Sequence, residues 1–427
     1  MKKLANVFAL LAALGLALGF VGCSNGSDNS AALLALLGGD SGGSGGGGGG
    51  GGSGGETGGK TAATISFAES DVGKGAEDAA FTNELSNTGD GAVTYSSSNT
   101  GVATVDAVTG QVAIVAEGTT TITATVADSE TYSYAQKKVS YTLTVYPAAA
   151  AVPLTIEIKS GESSGVLTVK NPWTTFKYKF SNSDEFHSYT GPINITSGVS
   201  VSFYADGSEN TSSENSCLNI RSDVDCYVYG NVNSLNDSQN FFKNINKDYA
   251  FACLFKEVDN DEHIYNHPTK DLYLPSRVAT EECYKGMFLS CVNLERAPAL
   301  PATKLASCCY YSMFSGCRKL ARAPELPATK LAYGCYHAMF NKCNELTSTP
   351  ALNAAKLEPS CYNQMFQDCS KLEHVYCFAT DISALMCTWN WLRQVKSTGE
   401  FVRKYGMNDW PKNSASGIPS GWEEWTD

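Results

Sequence analysis

Histidine is scarce in this chain, and basic residues are outnumbered by acidic ones. The 427 residues include five histidines, 31 lysines and arginines, and 43 aspartates and glutamates, and the formal net charge is −12. An acidic chain without a concentrated basic patch lacks the attraction that nucleic-acid binding requires, so we expect no nucleic-acid partner. Because histidines are few and no acid–base cluster stands out, the composition favours a binding or structural protein, without a cofactor, over an enzyme.

Long apolar runs are also missing, except at the N-terminus. Lys2 and Lys3 precede an apolar run at residues 4–21, and Cys23 follows shortly after it. This order is typical of an export signal. An uncleaved transmembrane anchor is the alternative, since the run reaches the lower length limit for a membrane span. Both interpretations place the body of the protein outside the cytoplasm.

The residues at the end of this run carry a specific resemblance. Phe20-Val21-Gly22-Cys23 is similar to the lipobox of bacterial lipoproteins. The resemblance implies that residues 1–22 are a signal peptide and that Cys23 is lipidated. The protein would then be attached to a membrane through a lipid anchor. We expect the outer membrane, with the body exposed at the cell surface.

Glycine dominates the next part of the chain. Residues 38–59 are almost entirely glycine with a few serines, a composition that cannot form a packed core. Residues 23–60 are therefore predicted to be a flexible tether, with an end-to-end distance of roughly 30 Å.

Between residues 61 and 147 the pattern changes to short alternating runs separated by turn residues. Runs such as 120–126 and 138–147 predict strands, and many short strands at this spacing indicate a β-sandwich. Residues 95–125 resemble a bacterial immunoglobulin-like domain of group 2. That family implies a spacer or adhesion module without catalytic residues.

Residues 153–248 alternate in the same way and predict a β-rich segment that caps the N-terminal end of the repeats in the second half of the chain. Ser163 lies in a G-x-S-x-G sequence, but a strand-like run follows it where a hydrolase would need a helix, so a turn is the better interpretation. Cys217 and Cys226 flank a predicted hairpin. In an exported domain they are either disulfide-bonded or free, and the sequence leaves both open.

The chain then repeats itself every 26 residues, and the repeated residues are cysteine, methionine, phenylalanine and leucine. A fixed period of this size indicates stacked units. Within one unit these residues recur every four positions, which predicts one face of a helix buried in a continuous core. The predicted core residues are Cys283, Met287, Phe288, Cys291, Leu294, Cys309, Met313, Phe314, Cys317, Leu320, Cys335, Met339, Phe340, Cys343, Leu346, Cys361, Met365, Phe366, Cys369 and Leu372.

The aromatic-x-x-Cys-x-x-Leu step at Phe314, Cys317 and Leu320 resembles BspA-like leucine-rich repeats, which occur in surface proteins of host-associated bacteria. The resemblance implies repeats over residues 249–386 and a C-terminal cap over residues 387–427. The predicted fold is thus multidomain: an immunoglobulin-like β-sandwich, a β-rich segment and an α/β leucine-rich-repeat solenoid.

The repeated cysteines are predicted to be packing residues. Two cysteines eight residues apart on a helix are separated by about 12 Å, and neighbouring helices lie about 8–10 Å apart, whereas a disulfide needs Cα atoms within roughly 7 Å. Disulfide pairing and metal binding remain alternatives for them. A second metal candidate is the H-x-x-x-H pair His263 and His267 among acidic residues, for which a solvated loop is the simpler interpretation.

Positions that vary between units should face water. One such column contains Lys285, Tyr311, His337 and Asn363, and two more on the extended segments contain Ala297, Ala323 and Thr349, and Ala299, Glu325 and Ala351. These last columns lack the anchor residues typical of binding hot spots, so no binding residue is predicted. The resemblances imply adhesion to host matrix proteins, host cells, other bacteria or glycans. A structural or polysaccharide-binding protein of the cell envelope is the alternative.

Overall fold

The computed structural model describes residues 60–207, 212–213, 216–257, 262–408, 410–413 and 415–427. The predicted signal peptide, Cys23 and almost all of the tether lie outside these residues. Regular structure in the described part of the chain is β-strand, apart from two short 3-10 helices at Ala148–Ala151 and Val232–Leu235. Within the described residues, no helix is long and apolar enough to cross a membrane.

The first group of strands covers residues 61–146. Its central sheet has the order β3-β10-β8-β5, and smaller pairs form between β1 and β9, β2 and β4, and β6 and β7. The strands are β1 (Thr61–Ala63), β2 (Ile65–Phe67), β3 (Asp71–Gly75), β4 (Leu85–Asn87), β5 (Val93–Ser97), β6 (Ala103–Val105), β7 (Val112–Ile114), β8 (Gly118–Val126), β9 (Tyr132–Tyr134) and β10 (Lys138–Tyr146).

Alternating residues of the long strands form the core of this region. In β8 and β10 buried side chains alternate with more exposed ones, as expected for strands with one face towards a core. Tyr141, Leu143 and Val145 of β10 pack with Ile122 of β8 and Val112 of β7 in one cluster. The period-2 pattern of the sequence therefore corresponds directly to the buried face.

A second group of strands forms two further sheets. One has the order β14-β13-β16-β11-β18-β19, with β20 also paired to β18, and the other has the order β15-β12-β17. The strands are β11 (Thr155–Ile158), β12 (Ser164–Lys170), β13 (Lys177–Phe180), β14 (His187–Ser188), β15 (Ile193–Thr196), β16 (Ser200–Tyr204), β17 (Asn219–Ser222), β18 (Cys226–Asn231), β19 (Ile264–Asn266) and β20 (Leu272–Tyr273). The sheet that contains β18 also includes β19 and β20, so it continues past residue 249, where the sequence places the start of the repeats.

The repeat region contains few strands. Its extended segments pair in parallel with their equivalents in the next unit, as in the register Val278↔Lys304. The remaining strands are β21 (Val278–Ala279), β22 (Lys304–Leu305), β23 (His374–Cys377), β24 (Glu400–Arg403) and β25 (Glu423–Thr426), the last three forming one parallel sheet.

The prediction of an α/β leucine-rich-repeat solenoid is wrong, because the described residues contain no α-helix. Where the helices were expected, each unit forms consecutive turns, with a left-handed residue at every fourth position. In one unit these are Ser312 (φ 52°) and Gly316 (φ 80°), and in the next Ala338 (φ 51°) and Lys342 (φ 61°). A four-residue turn repeats inward-facing side chains every four positions, which is why its sequence pattern resembles a helix.

Backbone hydrogen bonds explain why turns replace the helix. The N–H groups of Met313 and Ser315 donate to the carbonyl three residues earlier, at 3.2 and 3.1 Å. Those of Ser312 and Phe314 donate to the next unit, to His337 O at 2.8 Å and Met339 O at 2.9 Å. Alternate N–H groups therefore bond within a unit and between units, whereas a helix would satisfy all of them internally.

We call the successive rows of turns the turn stack; its rows are residues 249–255, 282–291, 308–317, 334–343, 360–369 and 386–394. Rows joined by hydrogen bonds lie close enough for like aromatic rings to stack. Centroids of Tyr284 and Tyr310 are 5.3 Å apart, and those of Phe288 and Phe314 are 5.5 Å apart. Trp391 continues the column by stacking on Tyr362 at 6.3 Å, and Trp410 stacks on Trp391 in turn at 5.3 Å.

The predicted core residues of the repeat are all buried, with at most 1% of their surface exposed. They belong to a single hydrophobic cluster that extends from Leu154 to Trp422. The β-rich segment and the turn stack therefore share one core, and the described chain from Lys60 to Asp427 forms one compact unit.

Candidate binding face

A surface with exposed charged residues lies on the extended segments that follow the rows of the turn stack. Arg296 and Arg322 occupy equivalent positions in successive units and form a parallel β-bridge with each other. Both are exposed. We call the surface around these two residues the arginine face.

The columns that the sequence placed outward only partly face water. Ala299 and Glu325 are exposed, and Ala297, Ala323 and Ala351 are half-buried. Thr349 is buried, and its Oγ1 accepts a hydrogen bond from Tyr376 N at 3.0 Å. Alternation of strand side chains puts the neighbouring position outward instead. The exposed column of the extended segments therefore includes the arginines, which the sequence pattern did not single out.

A cavity of about 350 Å³ lies beside Arg296. Its wall combines tyrosine and proline surfaces, including Tyr273, Pro275 and Pro298, with the polar side chain of Asp271 at its margin. The Arg296 guanidinium donates to His267 O at 2.8 Å and lies 4.0 Å from Asp271 Oδ1. These contacts hold the guanidinium at the cavity while about half of the side chain stays exposed.

A second, more open cavity of about 660 Å³ surrounds Arg322. It is lined by Glu325 and Glu345 and by the polar side chains of Ser348 and Thr349. Among the described residues, no ion pair with the Arg322 side chain is present. Its guanidinium is therefore available to a carboxylate, sulfate or phosphate group, which it can bind through two parallel hydrogen bonds.

The two histidines of the H-x-x-x-H pair do not converge on a common point. His263 Nδ1 lies 3.1 Å from Asp225 Oδ1, whereas His267 Nε2 lies 3.2 Å from Glu157 Oε1. Residues between them form β19, and four residues along a strand span about 13 Å, too far for both rings to bind one ion. Among the described residues, no group of three potential ligands that could hold a metal is found.

His267 is instead part of a fixed polar cluster. Its Nδ1 accepts hydrogen bonds from Thr269 N at 3.1 Å and Lys270 N at 3.0 Å, so the proton of the neutral ring is on Nε2 and points to Glu157. Glu157 Oε2 also accepts from Tyr229 at 2.9 Å and Lys270 Nζ at 3.1 Å. Burial lowers the pKa of His267. Both ring nitrogens are thus engaged, and neither is free to exchange a proton with a ligand.

The column that contains His337 is more enclosed than the sequence suggested. His337 is half-buried, stacks on Tyr311 at 4.6 Å, and burial lowers its pKa to about 4. Asn363 of the same column is 5% exposed. The expectation that this column faces water is therefore not met.

Ser163 directly precedes β12, a strand that pairs with β15 and β17. The strand continues where a nucleophile elbow requires a helix, in agreement with the turn predicted from the sequence. The cysteines Cys217 and Cys226 are both free. Cys226 is buried with its Sγ 3.1 Å from Ser222 Oγ, whereas the neighbour that shifts the pKa of the Cys217 thiol most is Cys253.

Comparison with known proteins bears on the first group of strands. Residues 81–128 match the family model described as intimin, immunoglobulin-like domain. This stretch contains β4 to β8, so the prediction of an immunoglobulin-like domain is confirmed for these residues. No curated protein matches the chain.

Proposed function

We propose that the protein is a non-catalytic surface protein of adhesin type, which binds a protein or glycan ligand through the arginine face. The single observation that carries this proposal is the intimin-type immunoglobulin-like domain, which is typical of bacterial surface and envelope proteins. The arginine face adds support, because Arg296 and Arg322 combine exposed guanidinium groups with two adjoining cavities. Arginine is one of the residues that most often dominate binding energy.

The partners are host matrix proteins, host cells, other bacteria or glycans. Acidic groups such as Glu325 and Glu345 lie among the arginines, so the face is mixed in charge. A ligand that presents anionic groups at a defined spacing would satisfy the arginines while avoiding these carboxylates. We therefore place sulfated or carboxylated glycans and acidic protein surfaces first among the candidates.

The test is binding of a purified fragment covering residues 60–427 to immobilised matrix proteins and glycans. This fragment is preferable to one beginning at residue 249, since β19 and β20 complete a sheet with β18. Replacing Arg296 and Arg322 together by alanine should weaken binding about tenfold or more. Arg318→Ala is the matched control, because Arg318 is exposed in the same unit and does not line either cavity. Equal loss in both variants, or no binding by the parent fragment, would contradict the proposal.

We propose further that Cys23 carries a lipid that attaches the protein to the outer membrane. Support comes from the lipobox-like sequence Phe20-Val21-Gly22-Cys23. Cells fed an alkyne-labelled fatty acid should incorporate the label into the parent protein and not into the Cys23→Ser variant. Protease treatment of intact cells then separates a surface adhesin, whose body is digested, from a structural envelope protein, whose body is protected until lysis.

A further inference from the structure

Two cysteines in the described chain differ from the rest in being half-buried and adjacent to each other. They are Cys217, which precedes β17, and Cys253, which lies in the first row of the turn stack. The two thiols lie close enough for each to shift the pKa of the other. The cysteines of the repeat, by contrast, are fully buried.

The backbone holds the two segments together independently of the thiols. Ile220 N donates to Leu254 O at 2.8 Å, and the Asn219 side chain donates to Cys253 O at 2.7 Å. On the other side, the Asn171 side chain donates to Cys217 O at 3.0 Å. The start of β17 and the first row are thus fixed against each other over several residues.

The conformation of Cys253 explains why its side chain points away from the core. Cys253 has a φ of 58°, and it occupies the left-handed position that Gly286 and Ser312 occupy in the following rows. Its N–H donates to Lys285 O, so it takes part in the same bonding between rows. None of the left-handed positions of the stack belongs to the hydrophobic cluster that forms the core. The thiol therefore faces Cys217 instead of the interior.

We propose that Cys217 and Cys253 form a disulfide in the mature protein, which ties β17 covalently to the first row of the turn stack. The oxidant is a thiol compound in its disulfide form, of the kind that an envelope protein meets outside the cytoplasm. The Cys217 thiolate attacks one sulfur of this compound and releases the other as a thiolate. Cys253 then loses its proton and attacks the Cys217 sulfur, releasing the second thiolate. The two cysteines lose two electrons and two protons, and the oxidant is reduced to two thiols.

The local electrostatics favour Cys217 as the attacking group. The hydrogen bond from Cys253 and the positive charges of Lys256 and Lys285 lower the pKa of the Cys217 thiol to about 7. Hydrogen bonding to Cys217 and burial raise the pKa of Cys253. A thiol with a pKa near ambient pH is the best nucleophile for exchange with a disulfide.

The experiment is peptide mapping of the folded protein after exposure to oxidised glutathione at pH 8. A peptide pair joining Cys217 to Cys253 is expected as the main cross-linked species, and dithiothreitol should remove it. In Cys217→Ser and Cys253→Ser that species should be absent, whereas Cys226→Ser, which removes a buried cysteine with a different neighbour, should retain it. Oxidation should also raise the thermal midpoint of the parent by about 5 °C relative to the reduced form.

The proposal is wrong if the folded parent keeps both thiols free under these conditions, or if Cys217 is joined to another cysteine. Because this result is read from the parent protein, it does not depend on whether the variants fold. A cross-link that forms equally in urea and in native buffer would also contradict the proposal, because the native contact would then have no part in directing it.

Discussion

At the scale of single residues, the repeat cysteines act as hydrogen-bond donors as well as filling the core. The Sγ atoms of Cys317 and Cys343 donate to the carbonyls of Phe288 and Phe314 in the preceding unit, each at 3.2 Å. Cys369 does the same to Phe340 at 3.0 Å. A small apolar side chain with one weak donor suits an interior position that faces a carbonyl. This pairing gives the second cysteine of each unit a structural role in the core.

The repeat cysteines should be unreactive in the folded protein. Burial raises the pKa of Cys335 and of Cys369 to about 12, so both thiols are protonated at pH 8. Iodoacetamide at pH 8 should therefore leave them unmodified in native buffer and modify them fully in urea, with rates differing by about 100-fold or more. Mass spectrometry of the digested protein measures this directly. In protein reduced beforehand, Cys217 is the internal control that should react in native buffer.

A buried hydroxyl without a partner gives a second prediction at this scale. Among the described residues, Tyr284 Oη has no hydrogen-bond partner, although its ring lies in the aromatic column. Tyr284→Phe should therefore raise the free energy of unfolding by about 1 kcal/mol, since it removes an unsatisfied polar group and keeps the ring.

The matched control is Tyr146→Phe. The hydroxyl of Tyr146 donates to Pro275 O at 2.6 Å, so its removal should lower the free energy of unfolding by about 1 kcal/mol. Urea unfolding of both variants tests the pair, and destabilisation by Tyr284→Phe would show that the hydroxyl has a partner in solution.

At the scale of elements, the row of turns depends on residues that tolerate a left-handed backbone. Most of these positions are occupied by residues other than glycine, including Ser312, Ala338 and Lys342. Each costs about 1 kcal/mol relative to the right-handed conformation. The stacked aromatic columns and the hydrogen bonds between rows offset this cost. A single row has no neighbouring row to provide these contacts and cannot offset the cost. The turns therefore form only when several rows assemble.

Gly316 is a left-handed position of the turn stack where an added side chain should meet the backbone of the neighbouring row. Its φ is 80°, and a Cβ there would lie 3.3 Å from Ser290 Cα in the neighbouring row. Gly198 has the same φ, but nothing lies within 4 Å of the corresponding position. Gly198→Ala should therefore cost about 1 kcal/mol from backbone strain alone, and Gly316→Ala about 1 kcal/mol more. Thermal or urea unfolding measures both variants. Equal losses of stability would show that the neighbouring row shifts to accommodate the new side chain at no energetic cost.

At the scale of the whole molecule, the first group of strands, residues 61–146, is joined to the rest by a buried carboxylate. Asp71 of β3 is 8% exposed, and its oxygens lie 3.2 Å from Arg277 Nε and 2.8 Å from Lys304 Nζ. Beside it, Tyr146 stacks on Phe242 with ring centroids 5.2 Å apart. These contacts make the region a fixed part of the body and not a separate module on a hinge.

The Asp71 contacts should make this interface sensitive to acid. Burial raises the pKa of Asp71, but hydrogen bonds from Lys304, Ser70 and Arg277 and the charge of Lys304 together outweigh it, and the net pKa is lowered. Since the carboxylate is the form that binds, its contribution is present at neutral pH. This contribution is lost as the pH falls below the ordinary pKa of an aspartate and through the lowered pKa of Asp71.

Asp71→Asn tests this contribution. At pH 7 the variant should be less stable by about 2 kcal/mol, because it loses hydrogen bonds to charged partners. At about pH 3 the difference between variant and parent should shrink, since the parent carboxylate is then becoming protonated. Thermal unfolding across this pH range measures the effect. A difference that stays constant with pH would show that Asp71 is not the titrating group.

Several features of this protein are determined by the sequence alone. Alternating runs such as residues 120–126 predict strands, because burial of one sheet face imposes a period of two. The immunoglobulin-like domain is indicated separately, by the resemblance of residues 95–125 to that family. The 26-residue spacing of Cys309, Met313 and Phe314 and their equivalents predicts stacked units and identifies side chains that are in fact buried. These inferences hold because they depend only on which residues avoid water.

The tertiary structure alone decided the conformation that places those residues inside. A spacing of four is equally compatible with a helix and with four-residue turns, and only the hydrogen bonds between rows, such as Phe314 N to Met339 O, distinguish them. The same applies to Arg296 and Arg322, whose common exposure follows from pairing across units. It applies also to Cys217 and Cys253, which meet because β17 lies against the first row. Contacts between distant segments depend on how elements pack, and local periodicity carries no information about that.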